Sequence, residues 1–281
     1  MSFDLSWIGT TLDSEEFRVN TARLAQFAAA TDDTNPTHAA GLIAAPVFAN
    51  IPAMQVMVAA LRRVTTLFAF HGQHDFVFHR PILPGMRLLS SATVSGVQPG
   101  AAGVAVIIKL AMRTTDGALV NEQVFTAFAA KASIDRAAGE PAPEHRLPPG
   151  AKSAPALACL TYPMSADQTR RYADASRDYS DYALDPDAAR AKGFEHVLVH
   201  GMLTLAFAGR AVVETVCAGD STRLKRFAAR FSNPVYLVPG QAIATTLWSL
   251  DRERERARYG FEATDSSGRI VIAHGRVEVA A

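Results

Sequence analysis

The chain repeats one order of predicted elements, and the repeat length is close to half of its 281 residues. In each copy an amphipathic helix leads into a short polar loop, and a long apolar helix and a series of strand-like runs follow. The first copy has its helices over residues 21–30 and 46–64. The second has a helix that opens at Ser165, where Ser165 and Gln168 form an S-x-x-Q capping box, and an apolar helix over 197–216. A helix that is apolar nearly all round must be covered by its sheet, so the pattern predicts two units, each of one buried helix and one antiparallel sheet.

The strand-like runs and their turns also match between the copies. The runs are HDFVFHRPI, LLSSATVSGV, GVAVIIKLAMRTT and NEQVFTAFAAKA in the first copy, and RFAARFSNPVYLV, QAIATTLWSL, RARYGFEATD and RIVIAHGRVEVA in the second. The turn TDG at residues 115–117 stands where SSG stands at residues 266–268, and such glycines are typical of hairpin turns. Residues 133–158 are rich in Pro, Ala and Gly without an apolar period, which predicts a linker that crosses the surface. The predicted organisation is therefore one repeat over 1–132, a linker over 133–158 and a second repeat over 159–281.

The composition limits the partners of the protein. Its formal net charge is +1, whereas a nucleic-acid-binding protein would present a basic face, so no nucleic-acid partner is expected. Cys159 and Cys217 are far apart and form no CxxC pair, which predicts reduced, buried thiols in a cytosolic protein. The first residues show no basic segment before an apolar block, so no signal peptide is expected. The most apolar window, 197–216, contains a histidine, an arginine and a glutamate, which favours a buried helix over a membrane span. We therefore expect a cytoplasmic protein without membrane contact.

The polar loops of the two copies differ at the position of one histidine. The first reads DDTNPTH over residues 32–38 and ends in His38, whereas the second reads DYSDYALD over residues 178–185 and has Ala183 at that place. Asp, Thr, Asn and Pro are among the commonest turn formers, so the first loop can be read as a turn alone. The order of its residues, and its place in the repeated architecture, favour a functional site instead.

This order of helix, polar loop, buried helix and strands, present twice, resembles the MaoC-like, type-2 enoyl-CoA hydratase family, whose two-repeat members are double hot-dog proteins. The stretch HGQHDFVFHRPILPG at residues 71–85 is similar to the segment that opens the strands of the family's first half. The stretch YADASRDYSDYALDPDAARAKGFEHVLVHGM at residues 172–202 is similar to the family's signature in the second half. The resemblance covers essentially the whole chain. It implies an α+β double hot-dog fold, in which each repeat has a buried central helix wrapped by an antiparallel sheet.

The resemblance implies a hydro-lyase that adds water reversibly across a 2-enoyl thioester to give the (R)-3-hydroxyacyl thioester. Such a site needs a base, an acid and a donor for the thioester oxygen. Carried over from the family's motif, Asp33 and His38 are the acid–base pair that shares the water, and Asn35 orients them. The backbone N–H of Val47 is the oxyanion donor, since Pro46 in the first helical turn leaves that N–H free. Which member of the pair moves which proton is left open.

The second loop departs from the family's motif. It keeps Ser176 and Asp178, but it has Ser180, Asp181 and Ala183 where the family has asparagine, proline and histidine. Without the histidine the second site is not expected to run the hydration, and Asp178 is predicted to accept hydrogen bonds within its loop. In family members with two repeats, the second repeat ordinarily carries the pair. The sequence therefore predicts that the two copies have exchanged roles.

Further positions are assigned to substrate binding. His71 and Gly72 match the family's His-Gly pair at the start of the strands, and Gly201 begins the second buried helix. Arg226 is a candidate for contact with a phosphate of coenzyme A or of a carrier-protein arm. The three histidines within residues 71–79 match no zinc motif, so no metal and no redox cofactor is expected. The carrier, coenzyme A or the phosphopantetheine of an acyl carrier protein, would be part of the substrate.

Two other classes of function stay open at this point. The chain would be a non-catalytic acyl-thioester-binding protein if neither site works. It would be a diverged hot-dog enzyme, such as an isomerase, a thioesterase or a polyketide-type dehydratase, if Asp181 matters more than His38, because a fold alone does not fix an activity. Two fused repeats replace the dimer that single hot-dog enzymes need, so both a monomer and a homodimer remain open.

Overall fold

The computed structural model describes residues 3–280. Its α-helices are α1 (Thr21–Ala30), α2 (Pro36–Ala39), α3 (Asn50–Val64), α4 (Gln168–Ser176), α5 (Pro186–Ala191) and α6 (Gly201–Val216). Its 3₁₀-helices are Leu5–Trp7, Pro46–Ala49, Asp181–Ala183 and Ser221–Arg223. Its strands are β1 (Thr11–Asp13), β2 (Phe17–Arg18), β3 (Phe70–Phe78), β4 (Arg87–Gly100), β5 (Gly103–Thr114), β6 (Leu119–Ala130), β7 (Ala138–Gly139), β8 (Ala158–Pro163), β9 (Leu224–Phe231), β10 (Ala242–Arg252), β11 (Arg256–Thr264) and β12 (Ile270–Ala280).

The strands of the described residues belong to one antiparallel sheet. Its order is β1–β4–β5–β6–β3–β9–β12–β11–β10–β8, and the short strands β2 and β7 both pair with β4. Strand β3 of the first copy lies beside β9 of the second, with Phe76 opposite Phe227 and Asp75 opposite Ala228. The two copies therefore share a continuous sheet, and this strand pair is its centre.

Each copy wraps its part of the sheet around one long helix. Helix α3 packs against β4 and β5, and α6 packs against β9, β10 and β12. In α3 the buried residues Val56, Met57, Ala60 and Val64 recur at helical spacing, so one face of the helix is committed to the core. Helix α6 is buried over most of its length, as expected for a sequence that is apolar nearly all round.

A buried ion pair ties the two copies to the segment between them. The Asp75 carboxylate of β3 accepts hydrogen bonds from the Arg226 guanidinium of β9, one of them at 3.0 Å, and lies 3.1 Å from His145 Nε2. Burial raises the pKa of Asp75, but the hydrogen bonds from His145 and Arg226 together lower it below its usual value. The carboxylate is therefore ionised, and Arg226 balances its charge. The β3–β9 contact where they meet is the joint between the copies.

The helices agree closely with their sequence patterns. Helix α1 occupies the predicted residues 21–30, and the apolar helix predicted over 46–64 begins with a 3₁₀ turn before α3. The capping box is only half formed, because Gln168 Oε1 accepts from the Ser165 N–H at 3.1 Å while α4 begins no earlier than Gln168, with Asp167 as its N-cap. None of the helices within residues 3–280 is long and apolar enough to cross a membrane.

Two surface features differ from their sequence patterns. The segment 133–158 contains β7, which pairs with β4, and His145, which is buried, so it packs on the body more closely than a plain linker. The division of the chain into a repeat over 1–132, a linker over 133–158 and a repeat over 159–281 stays a prediction. Cys217 is buried, and burial raises the pKa of its thiol to about 12. Cys159 is exposed on the edge strand β8, so the prediction of a buried thiol was wrong there.

Candidate functional site

The first polar loop begins where α1 ends. Asp32 takes the left-handed backbone conformation, with φ of 48°, and turns the chain out of the helix. The side chain of Asn35 then caps α2, because its Oδ1 accepts hydrogen bonds from the backbone N–H groups of Thr37 and His38. This local structure places the side chains of Asp33 and His38 on the same side of the loop.

Asp33 and His38 are in direct contact inside the protein. Asp33 Oδ2 lies 2.7 Å from His38 Nδ1, and the two residues are 8% and 1% exposed. An ionised carboxylate can only accept hydrogen bonds, so Nδ1 carries the proton and Nε2 is the basic nitrogen of the neutral ring. Nε2 lies 2.8 Å from Ser221 Oγ, which belongs to the second copy. The three side chains form a row from carboxylate through imidazole to hydroxyl.

Asn35 joins the two copies at this site. Its Nδ2 donates to the backbone oxygen of Gly219 at 2.7 Å, while its Oδ1 holds the start of α2. This position is compatible with the predicted role of orienting the pair. Val47 lies in the 3₁₀ turn Pro46–Ala49 that leads into α3, and it is buried. Its role as an oxyanion donor stays a prediction.

The space beside the pair is small. A cavity of about 40 Å³ is lined by Ser221, by Pro46 and Ala49 at the start of the α3 segment, and by the cationic side chains of Arg80 and Lys225. One water occupies roughly 10–15 Å³ on this scale, so the cavity has room for about three waters or a small acyl group. A longer acyl chain needs its walls to move.

The second polar loop has the same backbone course without the histidine. Arg177 takes the left-handed conformation, with φ of 65°, as the matching residue of the first loop does. Asp178 Oδ1 accepts from the N–H and the hydroxyl of Ser180 at 3.2 and 2.6 Å, which confirms its prediction as a hydrogen-bond acceptor within its loop. Ala183 is fully buried at the place of His38. The second loop therefore has no histidine at the place of the base.

A histidine next to this loop does not replace the missing one. His200 is the N-cap of α6, and its Nε2 donates to the backbone oxygen of Asp178 at 3.0 Å. Burial lowers the pKa of His200, so the ring is neutral near pH 7. His200 thus fastens the loop to the helix, and it is not among the side chains that line the cavity beside it.

That cavity is large. It measures about 720 Å³ and has a mostly apolar lining from both copies. Three of the residues that the sequence assigns to substrate binding, His71, Gly72 and Gly201, line it, and so do Arg230 and His274. The structure thus brings these three residues together around one cavity, which is lined by neither Asp33 nor His38, and their role in substrate binding stays a prediction.

The two cavities are equivalent by duplication and lie at opposite ends of the β3–β9 pair. The small one is lined by residues 78–82, where β3 ends, and by residues 221, 222, 224 and 225 after α6. The large one is lined by residues 231–235, where β9 ends, and by residues 68 and 70–73 after α3. At about 3.3 Å per residue, the five positions from Gln73 to Phe78 along β3 separate the nearest lining residues of the two cavities by about 16 Å.

A chain of hydrogen bonds leads from the large cavity toward α3. His71 Nε2 lies 2.9 Å from His74 Nδ1, His74 Nε2 lies 2.9 Å from Gln123 Oε1, and Gln123 Nε2 donates to the backbone oxygen of Ala49 at 2.8 Å. Burial lowers the pKa of His74 to about 4 and that of His71 well below 6.5. Both rings are neutral near pH 7. The amide oxygen of Gln123 accepts, so His74 donates to it and accepts from His71.

The remaining predicted substrate-binding residue lies elsewhere. Arg226 lines neither cavity, because its guanidinium is bonded to the buried Asp75 and lies 3.8 Å from Glu278. Its hydrogen bond with Asp75 raises the pKa of Arg226, which stays charged in the joint between the copies. This corrects its assignment to a substrate phosphate. Arg80 and Lys225 are the arginine and lysine residues among those that line the small cavity.

Ser221 is the functional candidate that sequence reasoning missed. It lies 183 residues from His38 along the chain, in a stretch with no recognisable motif, and only the pairing of the two copies brings it to the ring. The three histidines within residues 71–79 do not meet at one point either, since His71 and His74 bond each other while His79 bonds Glu122 near the surface. No group of three or more His, Cys, Asp or Glu side chains in the described chain is arranged to hold a metal ion.

The chain matches models of two protein families. Residues 151–268 match the MaoC like domain, and residues 6–123 match the FAS1-like, dehydratase domain region. Each copy of the duplicated unit thus matches a different dehydratase-type family.

Two curated relatives extend these matches. Enoyl-CoA hydratase 2, peroxisomal, of Arabidopsis thaliana is 29% identical over 190 residues, which are 63% of this chain and 59% of that protein. The 3-hydroxyacyl-thioester dehydratase Y of Mycobacterium tuberculosis is 29% identical over 222 residues, which are 75% of this chain and 72% of that protein. The chain therefore spans less than two thirds of the Arabidopsis relative.

Solved structures show the same fold. A MaoC-like dehydratase from Phytophthora capsici matches with a TM-score of 0.80 and 19% identity, over 99% of this chain and 97% of that one. A Mycobacterium tuberculosis protein described as a double hot-dog fold matches with a TM-score of 0.63 and 15% identity, over 97% and 96%. At these identities the likeness concerns the fold, and it confirms the predicted α+β double hot-dog architecture. Together with the family matches, it identifies the chain as a double hot-dog protein with a MaoC like domain over residues 151–268 and a FAS1-like dehydratase region over residues 6–123.

Proposed function

We propose that this protein is a hydro-lyase that adds water reversibly to a 2-enoyl thioester, giving the (R)-3-hydroxyacyl thioester, at Asp33 and His38. The observation that carries the proposal is the 2.7 Å contact between these two buried side chains. A positioned base that is oriented by a carboxylate is what the proton transfers of this reaction need. The second copy has Ala183 at the matching place and offers no such group. The dehydratase families and the hydratase relatives support the same reaction.

The hydrogen bonds support a division of labour within the pair. Asp33 Oδ2 accepts from His38, and Asp33 Oδ1 accepts from the Asn35 N–H at 3.0 Å. His38 Nε2 is the basic atom, and it contacts Ser221, which lines the small cavity. In the hydration, Nε2 takes a proton from water as the oxygen bonds to the β-carbon, and it returns a proton to the α-carbon. Asp33 holds the ring in the correct tautomer and stabilises its charged form.

The lining of the small cavity supports a short substrate on a phosphate-bearing carrier. Arg80 and Lys225 are suited to the phosphates of coenzyme A or of a phosphopantetheine arm, because both are cations at the cavity wall. The volume of about 40 Å³ favours the shortest enoyl groups. The backbone N–H of Val47, in the segment whose neighbours Pro46 and Ala49 line the same cavity, is the proposed donor to the thioester oxygen.

The test is a rate measurement on crotonyl-, hexenoyl- and decenoyl-CoA, followed by the loss of the conjugated enoyl absorbance and by chiral analysis of the product. The rate should be highest with crotonyl-CoA. His38→Ala should lower kcat/KM by about 10²–10⁴-fold, the contribution of a general acid–base group. Asp178→Ala is the matched control, because it removes the corresponding carboxylate of the broken loop. An Asp178→Ala variant as damaged as His38→Ala would move the reaction to the second copy and contradict the proposal.

The setting of the reaction is also part of the proposal. The fused copies already make the β3–β9 contact, so we expect a single chain to carry the whole site, whether the protein is a monomer or a homodimer. We expect a cytoplasmic protein with coenzyme A or acyl-carrier-protein thioesters as partners. Comparing turnover of the same enoyl group on the two carriers distinguishes between them.

A further inference from the structure

We propose that Ser221 is a nucleophile activated by His38 and Asp33, and that the same site hydrolyses short saturated acyl thioesters. Asp33 Oδ2 lies 2.7 Å from His38 Nδ1, and His38 Nε2 lies 2.8 Å from Ser221 Oγ. Both distances are within the range of a nucleophile–base–carboxylate relay. Such a triad is recognised by its geometry and by the roles of its members, on any fold and in any chain order.

The direction of the hydrogen bonds fits activation of the hydroxyl. The Asp33 carboxylate fixes the proton on Nδ1, so Nε2 of the neutral ring accepts from the Ser221 O–H. His38 is almost completely buried, whereas Ser221 is half-buried and lines the small cavity. The hydroxyl therefore stands between the buried base and the space that a ligand can enter. This is the position that a nucleophile needs.

The segment that carries Ser221 is held firmly at this place. Asp220 caps the 3₁₀ turn Ser221–Arg223, accepting from the Thr222 N–H at 2.9 Å and from the Thr222 hydroxyl at 2.6 Å. On the other side, the backbone oxygen of Gly219 accepts from Asn35 Nδ2 at 2.7 Å. Asn35 therefore connects the loop of the base with the segment of the nucleophile, although the two belong to different copies. The relay is built across the joint and depends on both copies.

The cavity defines the substrate class. Its volume of about 40 Å³ admits an acyl group of about two or three carbons, judged by the 10–15 Å³ that one water needs. Arg80 and Lys225 in its wall suit the phosphates of the thiol carrier. A saturated acyl thioester has no double bond to hydrate, so its cleavage is a reaction distinct from the proposed hydration.

The reaction balances with water as the second substrate. Ser221 Oγ bonds to the thioester carbonyl carbon while its proton passes to His38 Nε2. The C–S bond then breaks, and the leaving thiolate takes that proton from Nε2. Water attacks the acyl-serine ester, giving a proton to Nε2, and the proton returns to Oγ as the ester bond breaks. The products are a short carboxylic acid and the free thiol, and neither an oxidant nor a reductant is required.

The test measures thiol release from acetyl-CoA and propionyl-CoA with a thiol-reactive dye. The wild-type protein should release thiol, and Ser221→Ala should reduce the rate at least about a hundredfold. Ser232→Ala is the matched control, since Ser232 lines the large cavity and should leave the rate unchanged. Mass spectrometry of acid-quenched protein should find one acyl group on the peptide that contains Ser221. A melting temperature of Ser221→Ala close to that of the wild type shows that the variant folds.

The outcomes separate this inference from the proposed function. Wild-type protein that hydrates crotonyl-CoA but releases no thiol from either saturated thioester overturns the nucleophile and leaves the hydration standing. Thiol release without hydration of crotonyl-CoA supports the nucleophile and overturns the proposed hydration. Release that persists in Ser221→Ala, or an acyl group on another residue, assigns the hydrolysis to a different nucleophile and refutes the role of Ser221.

Discussion

The buried histidine His74 should make the protein sensitive to mild acid. Its side chain is enclosed, and burial lowers its pKa from 6.5 to about 4. Below pH 6.5 the unfolded chain takes up a proton at His74, whereas the folded protein takes it up only near pH 4. The unfolded state thus binds more protons in this window, and the free energy of unfolding falls as the pH falls through it. Since each pH unit of such a gap is worth about 1.4 kcal/mol, the loss over the whole window is about 3.5 kcal/mol.

The variant His74→Gln tests this magnitude. Glutamine retains a donor for Gln123 and an acceptor for His71 but takes up no proton. Urea unfolding at about pH 7 and about pH 4.5 gives the free energy of unfolding of each protein by linear extrapolation. The wild type should lose about 2–3 kcal/mol more than His74→Gln between the two conditions. His79→Gln is the matched control, because His79 is exposed, and its loss should parallel that of the wild type.

Equal losses in His74→Gln and the wild type would refute the reasoning, because they would mean that His74 is protonated in the folded state at the lower pH. If His74→Gln does not fold, His74→Asn offers another neutral side chain at the same place. The free energy of unfolding of His79→Gln should fall as much as that of the wild type. A fall as small as that expected for His74→Gln would contradict the argument, because removal of any histidine would then have the same effect.

Three further predictions follow from named contacts. Asp33→Asn should lower kcat for crotonyl-CoA by about 10²–10⁴-fold with little change in melting temperature, because the amide no longer fixes the tautomer of its histidine partner; an active variant would contradict this role. Gly275→Ala should cost about 1–3 kcal/mol of stability by chemical denaturation, since a Cβ there would lie 2.3 Å from the ring of the buried Phe261, and an unchanged midpoint would refute the clash. Asp75→Asn should cost about 3–5 kcal/mol, because it leaves Arg226 without its buried partner, and a loss below about 1 kcal/mol would mean that solvent reaches the pair.

The helices and the hairpin turns were predictable because local signals specify them. The apolar period of α3 and α6 requires burial, and the hairpin turns contain Gly117 and Gly268, both of which adopt positive φ. The start of β3 was predicted too late, at His74 instead of Phe70. Its first residues, FHGQ, are half-buried and line the large cavity, and they lack the apolar–polar alternation that marks a strand.

The candidate site was predictable only in its local part. Asp33, Asn35 and His38 lie within one loop, so their spacing brings them together. Ser221 reaches them through the pairing of two distant copies, which no local pattern encodes. The assignment of Arg226 failed for a related reason, since its buried partner Asp75 lies on a strand of the other copy. The difference between the two cavities depends on how loops and side chains pack, and a residue type alone does not specify a volume.

The central strand pair has a consequence for synthesis on the ribosome. While only the first copy has emerged, β3 is an edge strand whose open backbone groups could pair with another nascent chain. Asp75 stands in the middle of that edge, and an unpaired carboxylate makes such pairing costly. His145 of the intervening segment and Arg226, about 150 residues later on β9, then bond the carboxylate. The same carboxylate should thus disfavour wrong pairing of the unfinished edge and favour β9 as its partner strand.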